Sequence, residues 1–327
     1  MAMDIKQVQE KCDEIISQVG SVVLGKEQVL QNILAGMLAN GHILLEDVPG
    51  VAKTLTASMF AQVLGLEFRR IQFLPDLLPG DLTGGFIYDP GQSQWQFREG
   101  PLFANLVLAD EINRGTPKTQ SALLEAMQEK QVTIEGRVFP LEPPFLVLAT
   151  QNPVEFEGTY PLPEAQMDRF IMRLQIGYPD AQVEQKILAD RAERRQDEAK
   201  LPQVVTREEF LAMQRAIEEV HVSADVQRYI VEIVAATRAE NRVQLGSSPR
   251  GSLALFKLAR ARAALMGRDF VLSEDVKQMA IPALAHRLLL RAEFWLEHIT
   301  GEQIISDILT KVPTPEAGGS QYVSLAE

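Results

Sequence analysis

A short segment near residue 50 has the residue types that bind a nucleoside triphosphate. Residues 43–54 read ILLEDVPGVAKT, an apolar strand followed by a tight turn. Bound phosphates need converging backbone N–H groups, a helix N-terminus, a mobile ammonium group and a hydroxyl for Mg²⁺. The turn can supply the N–H groups, Lys53 the ammonium and Thr54 the hydroxyl. The predicted phosphate-binding loop therefore consists of Val48, Pro49, Gly50, Val51, Ala52, Lys53 and Thr54.

A second apolar strand delivers two acids. Residues 106–109 are followed by Asp110 and Glu111, and in a sheet these acids would face the phosphate loop. Asp110 is predicted to hold the water shell of Mg²⁺ together with the hydroxyl of Thr54, and Glu111 to polarise the attacking water. Either motif alone fits a simpler structure, a strand-to-helix turn or acids that face water. Their order and spacing in one chain favour a nucleoside triphosphatase that uses Mg²⁺.

The phosphate loop departs from the strict template. Counting back from Lys53, the template has glycine at two positions where this chain has Asp47 and Ala52, and only Gly50 is kept. Ala52 gives up some backbone freedom. Asp47 brings a negative charge to an anion site, which is tolerable only if its side chain points away.

Two polar residues follow strands of the predicted sheet. Asn152 comes directly after an apolar strand, where its amide would hold the attacking water or the outer phosphate; alternatively it forms a turn before a proline. Arg169 precedes the last strand and would emerge at the domain rim. It could reach the nucleotide of a neighbouring subunit, or merely pair with Asp168.

Arg250 is predicted to lie at a helix position that is unfavourable for a cation. Ser248 and Pro249 are typical of the cap and first position of a helix, which places Arg250 in the first turn, where the helix dipole disfavours a cation. A bound triphosphate would compensate for the misplaced charge. The alternative is a side chain that extends into water.

Composition limits the function classes. The 327 residues are 46% hydrophobic, enough for a large core and two domains, and carry a net charge of −12, which opposes nucleic-acid binding. No apolar run is long enough for membrane insertion, and the N-terminus is too charged for a secretory signal, so we expect a cytoplasmic protein. The single cysteine, Cys12, cannot form an internal disulfide, and the four histidines lack metal-site spacing.

Hydrophobic periodicity predicts an α/β domain with a parallel sheet, followed by helices. Expected helices are 5–19, 26–39, 54–65 and 117–129, and expected strands are 42–47, 67–73, 105–110, 145–150 and 171–176. Two structured additions are predicted, an insertion at 74–101 and a β-hairpin at 131–139. Later helices are expected near 181–195, 207–219, 224–239, 249–266, 273–287 and 301–311. The predicted domains are an N-terminal helix (1–19), a nucleotide-binding domain (20–178), a helical lid (179–311) and a flexible tail (312–327).

In order and content, these motifs resemble an AAA+ ATPase, and specifically the MoxR family of the helix-2 insert clade, which is related to magnesium chelatase motor subunits. The resemblance is carried by residues 44–54, 110–114, 120–129, 149–153 and 160–170. It implies a P-loop fold with a five-stranded parallel sheet flanked by helices, followed by a smaller all-α lid. It also implies Walker A (Lys53, Thr54), Walker B (Asp110, Glu111), sensor 1 (Asn152), an arginine finger (Arg169) and sensor 2 (Arg250).

The family also implies partners. Its members form rings, usually hexameric, and act with von Willebrand factor A domain proteins in remodelling or maturing other proteins. The leading hypothesis is thus an Mg²⁺-dependent ATPase whose active sites are shared between subunits. Its rivals are an ATP-binding scaffold with little turnover, a nucleic-acid motor and a chelatase motor subunit.

Overall fold

Strands and helices alternate along the first half of the chain, as the sequence predicts. The computed structural model describes residues 3–48, 50–152, 158–196, 199–295 and 298–315; Pro49 of the predicted phosphate loop and 316–327 of the predicted tail lie outside these residues. The helices are α1 (Ile5–Gly20), α2 (Glu27–Leu38), α3 (Lys53–Val63), α4 (Pro79–Thr83), α5 (Pro117–Glu129), α6 (Glu164–Met167), α7 (Ala181–Arg194), α8 (Arg207–Glu218), α9 (Ala224–Ala239), α10 (Pro249–Leu265), α11 (Ser273–Leu284), α12 (Ala292–Trp295) and α13 (Gly301–Lys311). The strands are β1 (Ile43–Glu46), β2 (Phe68–Gln72), β3 (Gly84–Asp89), β4 (Gln94–Glu99), β5 (Leu106–Asp110), β6 (Gln131–Ile134), β7 (Arg137–Pro140), β8 (Leu146–Gln151), β9 (Met172–Leu174), β10 (Val243–Leu245) and β11 (Leu289–Leu290).

The five predicted strands form one parallel sheet in the order β2-β5-β8-β1-β9. β5 and β8 are buried almost throughout, which explains their continuous apolar sequences. The carboxyl ends of β1, β5 and β8 therefore lie side by side, with Glu46 opposite Gln151 and Ala109 opposite Ala149. The α/β fold class with a parallel five-stranded sheet is confirmed.

Alternate side chains of the central strands enter two different cores. Leu106 and Leu108 face a cluster that contains α1, α2 and α3, whereas Val107 and Ala109 face α5 and the hairpins. The first cluster also takes in the apolar faces of α8, α10 and α11. The lid helices thus pack on the first two helices through one continuous core, and the domain boundaries remain predictions.

The two predicted additions are both folded. The insertion contains α4 and the antiparallel hairpin β3–β4, and the second hairpin is β6–β7. The hairpins meet through aromatic side chains, because the Phe139 ring stacks on Phe97 at 4.3 Å and lies 6.3 Å from Phe86 between centroids. At the tip of the first hairpin, Tyr88 and Trp95 pair across the strands and stay exposed.

Two features of the lid were not anticipated. A short antiparallel ribbon, β10–β11, lies among its helices. The helix predicted at 273–287 ends at Leu284, two residues after Pro282, and continues as a 3-10 turn over 285–287. Proline removes a helical hydrogen bond and crowds the preceding turn, so Pro282 weakens the last turns of α11.

No helix within the described ranges is long and apolar enough to cross a membrane. The cytoplasmic location stays a prediction. Cys12 is buried, and burial raises the pKa of its thiol, as expected for a cysteine with a structural place in the core.

His42, directly before β1, is buried and neutral. Its Nδ1 accepts the Val147 N–H at 3.0 Å, so Nε2 carries the proton and donates to the Met127 carbonyl at 3.0 Å. Burial, assisted by the charge of Lys130, lowers the pKa of His42 to about 3. A protonated ring could not accept the Val147 hydrogen bond, so the sheet requires the neutral form.

We predict that His42 makes stability fall with falling pH. The unfolded residue takes up a proton near pH 6.5, whereas the folded one does so only near pH 3, so the unfolded state binds more protons in between. The slope of the free energy of unfolding against pH, measured by urea denaturation, should be about 1.4 kcal/mol per pH unit smaller in His42→Gln between about pH 6 and pH 4. His221→Gln, at an exposed site, should leave the slope unchanged; equal slopes in all three proteins would contradict the prediction.

Candidate active site

The predicted triphosphate residues meet at the carboxyl edge of the sheet. Lys53 and Thr54 begin α3 directly after the loop that follows β1, Asp110 ends β5, and Asn152 follows β8. Burial lowers the pKa of Lys53, while the carboxylates of Asp47, Asp110 and Glu111 act in the opposite direction. The charges of both acids of the second motif therefore act on the Lys53 ammonium group.

The loop has the backbone that its sequence requires. Gly50 has a φ of 84°, and Ala52 caps α3 in the left-handed conformation with a φ of 60°, which is why the template has glycine at position 52. The Lys53 Nζ donates to the Asp47 carbonyl at 2.7 Å. The ammonium thus lies across its own loop, in front of the N-terminus of α3, where phosphates are favoured.

Asp47 points away from the loop, as its position demands. One carboxylate oxygen accepts the N–H groups of Ile176 and Gly177 at 2.5 and 2.7 Å, and the other accepts the N–H of Val48 at 3.1 Å. The residue is buried, and three backbone donors stabilise its charge. The acid that departs from the template therefore ties the start of the loop to the strand end that leads into the lid.

Asp110 is held by two side chains that the sequence analysis did not single out. The Thr150 hydroxyl donates to one oxygen at 2.6 Å, and the Arg70 guanidinium contacts the other through Nη2 at 2.7 Å and Nε at 3.1 Å. Thr150 is fully buried. These contacts fix the position of the Asp110 carboxylate at the sheet edge.

Glu111 has a strained backbone and a fixed side chain. Its φ of 54° is left-handed, an uncommon conformation for a non-glycine residue that often occurs at functional sites. Gln72 donates to its carboxylate at 2.8 Å, and Arg114 forms an ion pair with it at 2.9 Å. Arg70, the partner of Asp110, and Gln72, the partner of Glu111, occupy alternate positions of β2 and therefore share one face. This alternation of polar residues was the sequence signal for both contacts.

The site fits Mg²⁺ as a metal held by few protein oxygens. Among the described residues, no three His, Cys, Asp or Glu side chains cluster as a metal cage. Mg²⁺ typically takes one or two protein ligands and completes its shell with phosphates and water. Thr54 and Asp110 can supply the protein ligands. Asn152 is buried, and its backbone carbonyl accepts the Asn113 side-chain amide at 3.3 Å.

The two predicted arginines lie together at the opposite edge of the sheet. A cavity of about 290 Å³ is lined by Arg169, Arg250, residues 39–42 before β1, and Ile171 before β9. Lysines 130 and 257 also line it, so the cavity is strongly basic. The length of β1, roughly 13 Å, separates this amino edge from the phosphate loop.

The role of Arg169 stays a prediction, on which the contacts of Asp168 bear. Its carboxylate pairs with Arg287 and accepts the Ser248 hydroxyl at 3.0 Å, so Asp168 serves other partners than its neighbour. Ser248 caps α10 with Pro249 in the first turn, as predicted. Arg250 follows with its side chain exposed toward the cavity.

Comparison with known proteins identifies the class. Residues 42–172 match the ATPase family associated with various cellular activities (AAA), and residues 235–308 match the AAA lid domain. The crystal structure of a candidate ATPase from Cytophaga hutchinsonii superposes with a TM-score of 0.88 at 44% identity, covering 94% of this chain and 96% of that one. The fold and its conserved domain pair thus define an AAA-type, nucleotide-binding ATPase.

Two relatives narrow the class to a family. The chain is 42% identical to Chaperone MoxR1 of Mycobacterium tuberculosis, over 93% of this chain and 82% of that protein. It is 47% identical to the uncharacterized protein YeaC of Bacillus subtilis, over 92% and 93% of the two chains. The chain belongs to the MoxR family of AAA+ ATPases, as its motifs predicted. The roles of individual site residues stay predictions.

We predict that Ala52→Gly stabilises the protein. The left-handed conformation costs an alanine roughly 1–2 kcal/mol, and glycine loses about 0.5–1 kcal/mol through its freer unfolded chain. Urea denaturation should therefore show a gain of roughly 0.5–1 kcal/mol in the free energy of unfolding. Ala189→Gly, at an exposed site within α7, is the control and should lose about 1 kcal/mol. A loss in both variants would contradict the strain at Ala52.

Proposed function

We propose that this chain hydrolyses ATP with Mg²⁺ in a ring whose active sites are completed by a neighbouring subunit. The observation that carries the proposal is the division of the predicted site between the two edges of one sheet. The phosphate loop and both acids lie at the carboxyl edge, and both arginines lie at the amino edge.

The residues of the carboxyl edge have different roles in binding and hydrolysing the triphosphate. Lys53 and the N-terminus of α3 neutralise the phosphates, and Thr54 and Asp110 would hold Mg²⁺ through its ligand shell. Bound Mg²⁺ would neutralise charge on the phosphates. Glu111 polarises the attacking water, with Asn152 orienting it. The contacts of Glu111 to Gln72 and Arg114 support a fixed position for this carboxylate.

The residues of the amino edge act on another subunit. A guanidinium stabilises charge on the transferred phosphoryl group only in direct contact. Arg169 and Arg250 cannot make that contact across their own sheet, so their target is the nucleotide of the next chain. Such a head-to-tail contact gives a ring when the rotation between neighbouring subunits closes. The MoxR family supports a hexamer in this role.

We further propose that the ring remodels or matures other proteins. One relative is named a chaperone, and family resemblance supports a von Willebrand factor A domain protein as the partner. The exposed pair Tyr88 and Trp95 on the β3–β4 hairpin offers a place where a client could be contacted.

The rival functions have less support. A scaffold with little turnover was suggested by Asp47, whose charge would oppose phosphate. Its carboxylate is instead directed to Ile176, Gly177 and Val48, so it does not compete for the site. A nucleic-acid motor is opposed by the net charge of −12.

We expect Glu111→Gln to retain ATP binding and to lose hydrolysis. The amide keeps the size of the side chain but cannot accept a proton from water, which should slow turnover by about 10²- to 10⁴-fold. Fluorescent ATP titration and phosphate release measure the two properties. Glu125→Gln, at an exposed site on α5, should leave both unchanged. Normal turnover in Glu111→Gln would remove this residue from the reaction.

We expect Arg169→Ala and Lys53→Ala to be inactive alone and partly active when mixed. Lys53→Ala damages the phosphate loop, and Arg169→Ala damages the arginine that completes the neighbouring site. Random mixing of equal amounts in a ring therefore leaves about a quarter of the interfaces with both halves intact. Phosphate release per subunit, measured over a protein concentration series, should rise toward that fraction in the mixture and be near zero in each variant. Full turnover of Arg169→Ala in an assembled ring would disprove the shared site.

A further inference from the structure

A single carboxylate links the two elements that carry the arginines. Asp168 immediately precedes Arg169 in the chain. Its Oδ2 accepts the Ser248 hydroxyl at 3.0 Å, and the same hydroxyl oxygen accepts the backbone N–H of Arg250 at 3.1 Å. One chain of hydrogen bonds therefore runs from the residue beside one arginine to the backbone of the other, across the junction between the nucleotide-binding domain and the lid.

Arg287 clamps the backbone on both sides of Arg169. Its guanidinium pairs with the Asp168 carboxylate, donates to the Asp168 carbonyl at 2.8 Å and donates to the Phe170 carbonyl at 2.6 Å. Its Nε donates to the Ala283 carbonyl of α11 at 2.7 Å. The side chain is almost fully buried, with 2% of its surface exposed. A buried arginine is costly unless its donors are satisfied, and every contact here holds either Asp168, its flanking backbone or α11.

The charges around the cavity explain why such a frame is needed. Arg169, Arg250, Arg287 and two lysines line the cavity, and Asp168 is the one acid among its lining residues. Like charges that converge on one space repel each other. Burial lowers the pKa of Arg287, which Asp168 opposes and the charge of Arg250 reinforces. Without Asp168, the arginines would lose the counter-charge that keeps them together.

We propose that Asp168, Ser248 and Arg287 form a positioning cluster that holds Arg169 and Arg250 as one rigid pair, aimed at the outer phosphates of ATP on the neighbouring subunit. The inference rests on the proposed shared site and names the residues that preorganise its second half. The cluster touches no reacting atom. Its contribution is geometric, because two guanidinium groups with a fixed separation can stabilise a developing charge without reorganising.

A positioning role and a general structural role predict different effects of Asp168→Asn on ATP binding and on turnover. Asp168→Asn keeps the size of the side chain and removes its charge. Because the cluster lies at the amino edge, ATP binding at the variant's own phosphate loop should stay within about twofold, while turnover falls by about 10- to 100-fold, the loss expected from a small misplacement of a catalytic group. A purely structural defect would weaken binding and turnover together.

Mixing experiments test which half of the site is damaged. Asp168→Asn still has an intact phosphate loop, and Lys53→Ala still has an intact arginine pair, so their mixture should recover turnover as the mixture of Arg169→Ala and Lys53→Ala does. A mixture of Asp168→Asn and Arg169→Ala, damaged in the same half, should recover nothing. Ser248→Ala is a milder second variant, and Ser248→Thr, which keeps the hydroxyl, should restore turnover.

Asp275→Asn is the matched structural control. Asp275 is buried at the other end of α11 and forms a two-point ion pair with Arg268 at 2.7 Å, away from the cavity lining. It should lower thermal stability and keep turnover per folded subunit. Turnover above half of the parent value in Asp168→Asn and Ser248→Ala, or a loss that Lys53→Ala does not rescue, would overturn the positioning cluster. Failure of Arg169→Ala to be rescued by Lys53→Ala would instead overturn the shared site itself.

Discussion

The direction of the five parallel strands is the constraint on which the rest of the molecule depends. Parallel strands have two chemically different edges, and ligands bind outside the carboxyl ends. β1 has its phosphate loop at one end and the basic cavity near His42 at the other. A hydrogen-bonded sheet cannot bend enough to bring its two edges together. The strand direction therefore decides which residues can serve the nucleotide of their own chain.

Charged residues near each edge are stabilised by short contacts within the chain. At the carboxyl edge, Arg70 and Thr150 hold Asp110, and backbone N–H groups hold Asp47. At the amino edge, the residues that need a counter-charge are basic, and Asp168 supplies it. Charges in partly buried positions must be paired to remain charged. Each half of the site is thus organised within its own chain before any nucleotide arrives.

Sequence patterns predicted the sheet, the helices and the placement of Lys53, Asp110 and Ser248, because these depend on local periodicity, capping and strand ends. The contacts that hold the site were not predictable in the same way. Arg287 is 119 residues from Asp168 in the chain, and nothing local marks it as a buried clamp. The short ribbon β10–β11 was missed because two- and three-residue strands carry almost no periodicity. Gln72 and Arg70 had a weak signal, alternate polar positions in an otherwise ordinary strand.

The separation of the two edges also explains why the chain can have strongly charged groups at both ends of β1. Were the arginines at the carboxyl edge, Arg169 and Arg250 would be free to pair with Asp110 and Glu111 in the absence of nucleotide, and the acids would lose their role. Distance removes that competition within one chain. In the proposed head-to-tail ring, the basic edge of one subunit would meet the acidic edge of the next, so the same separation would favour one geometry for both assembly and phosphate recognition.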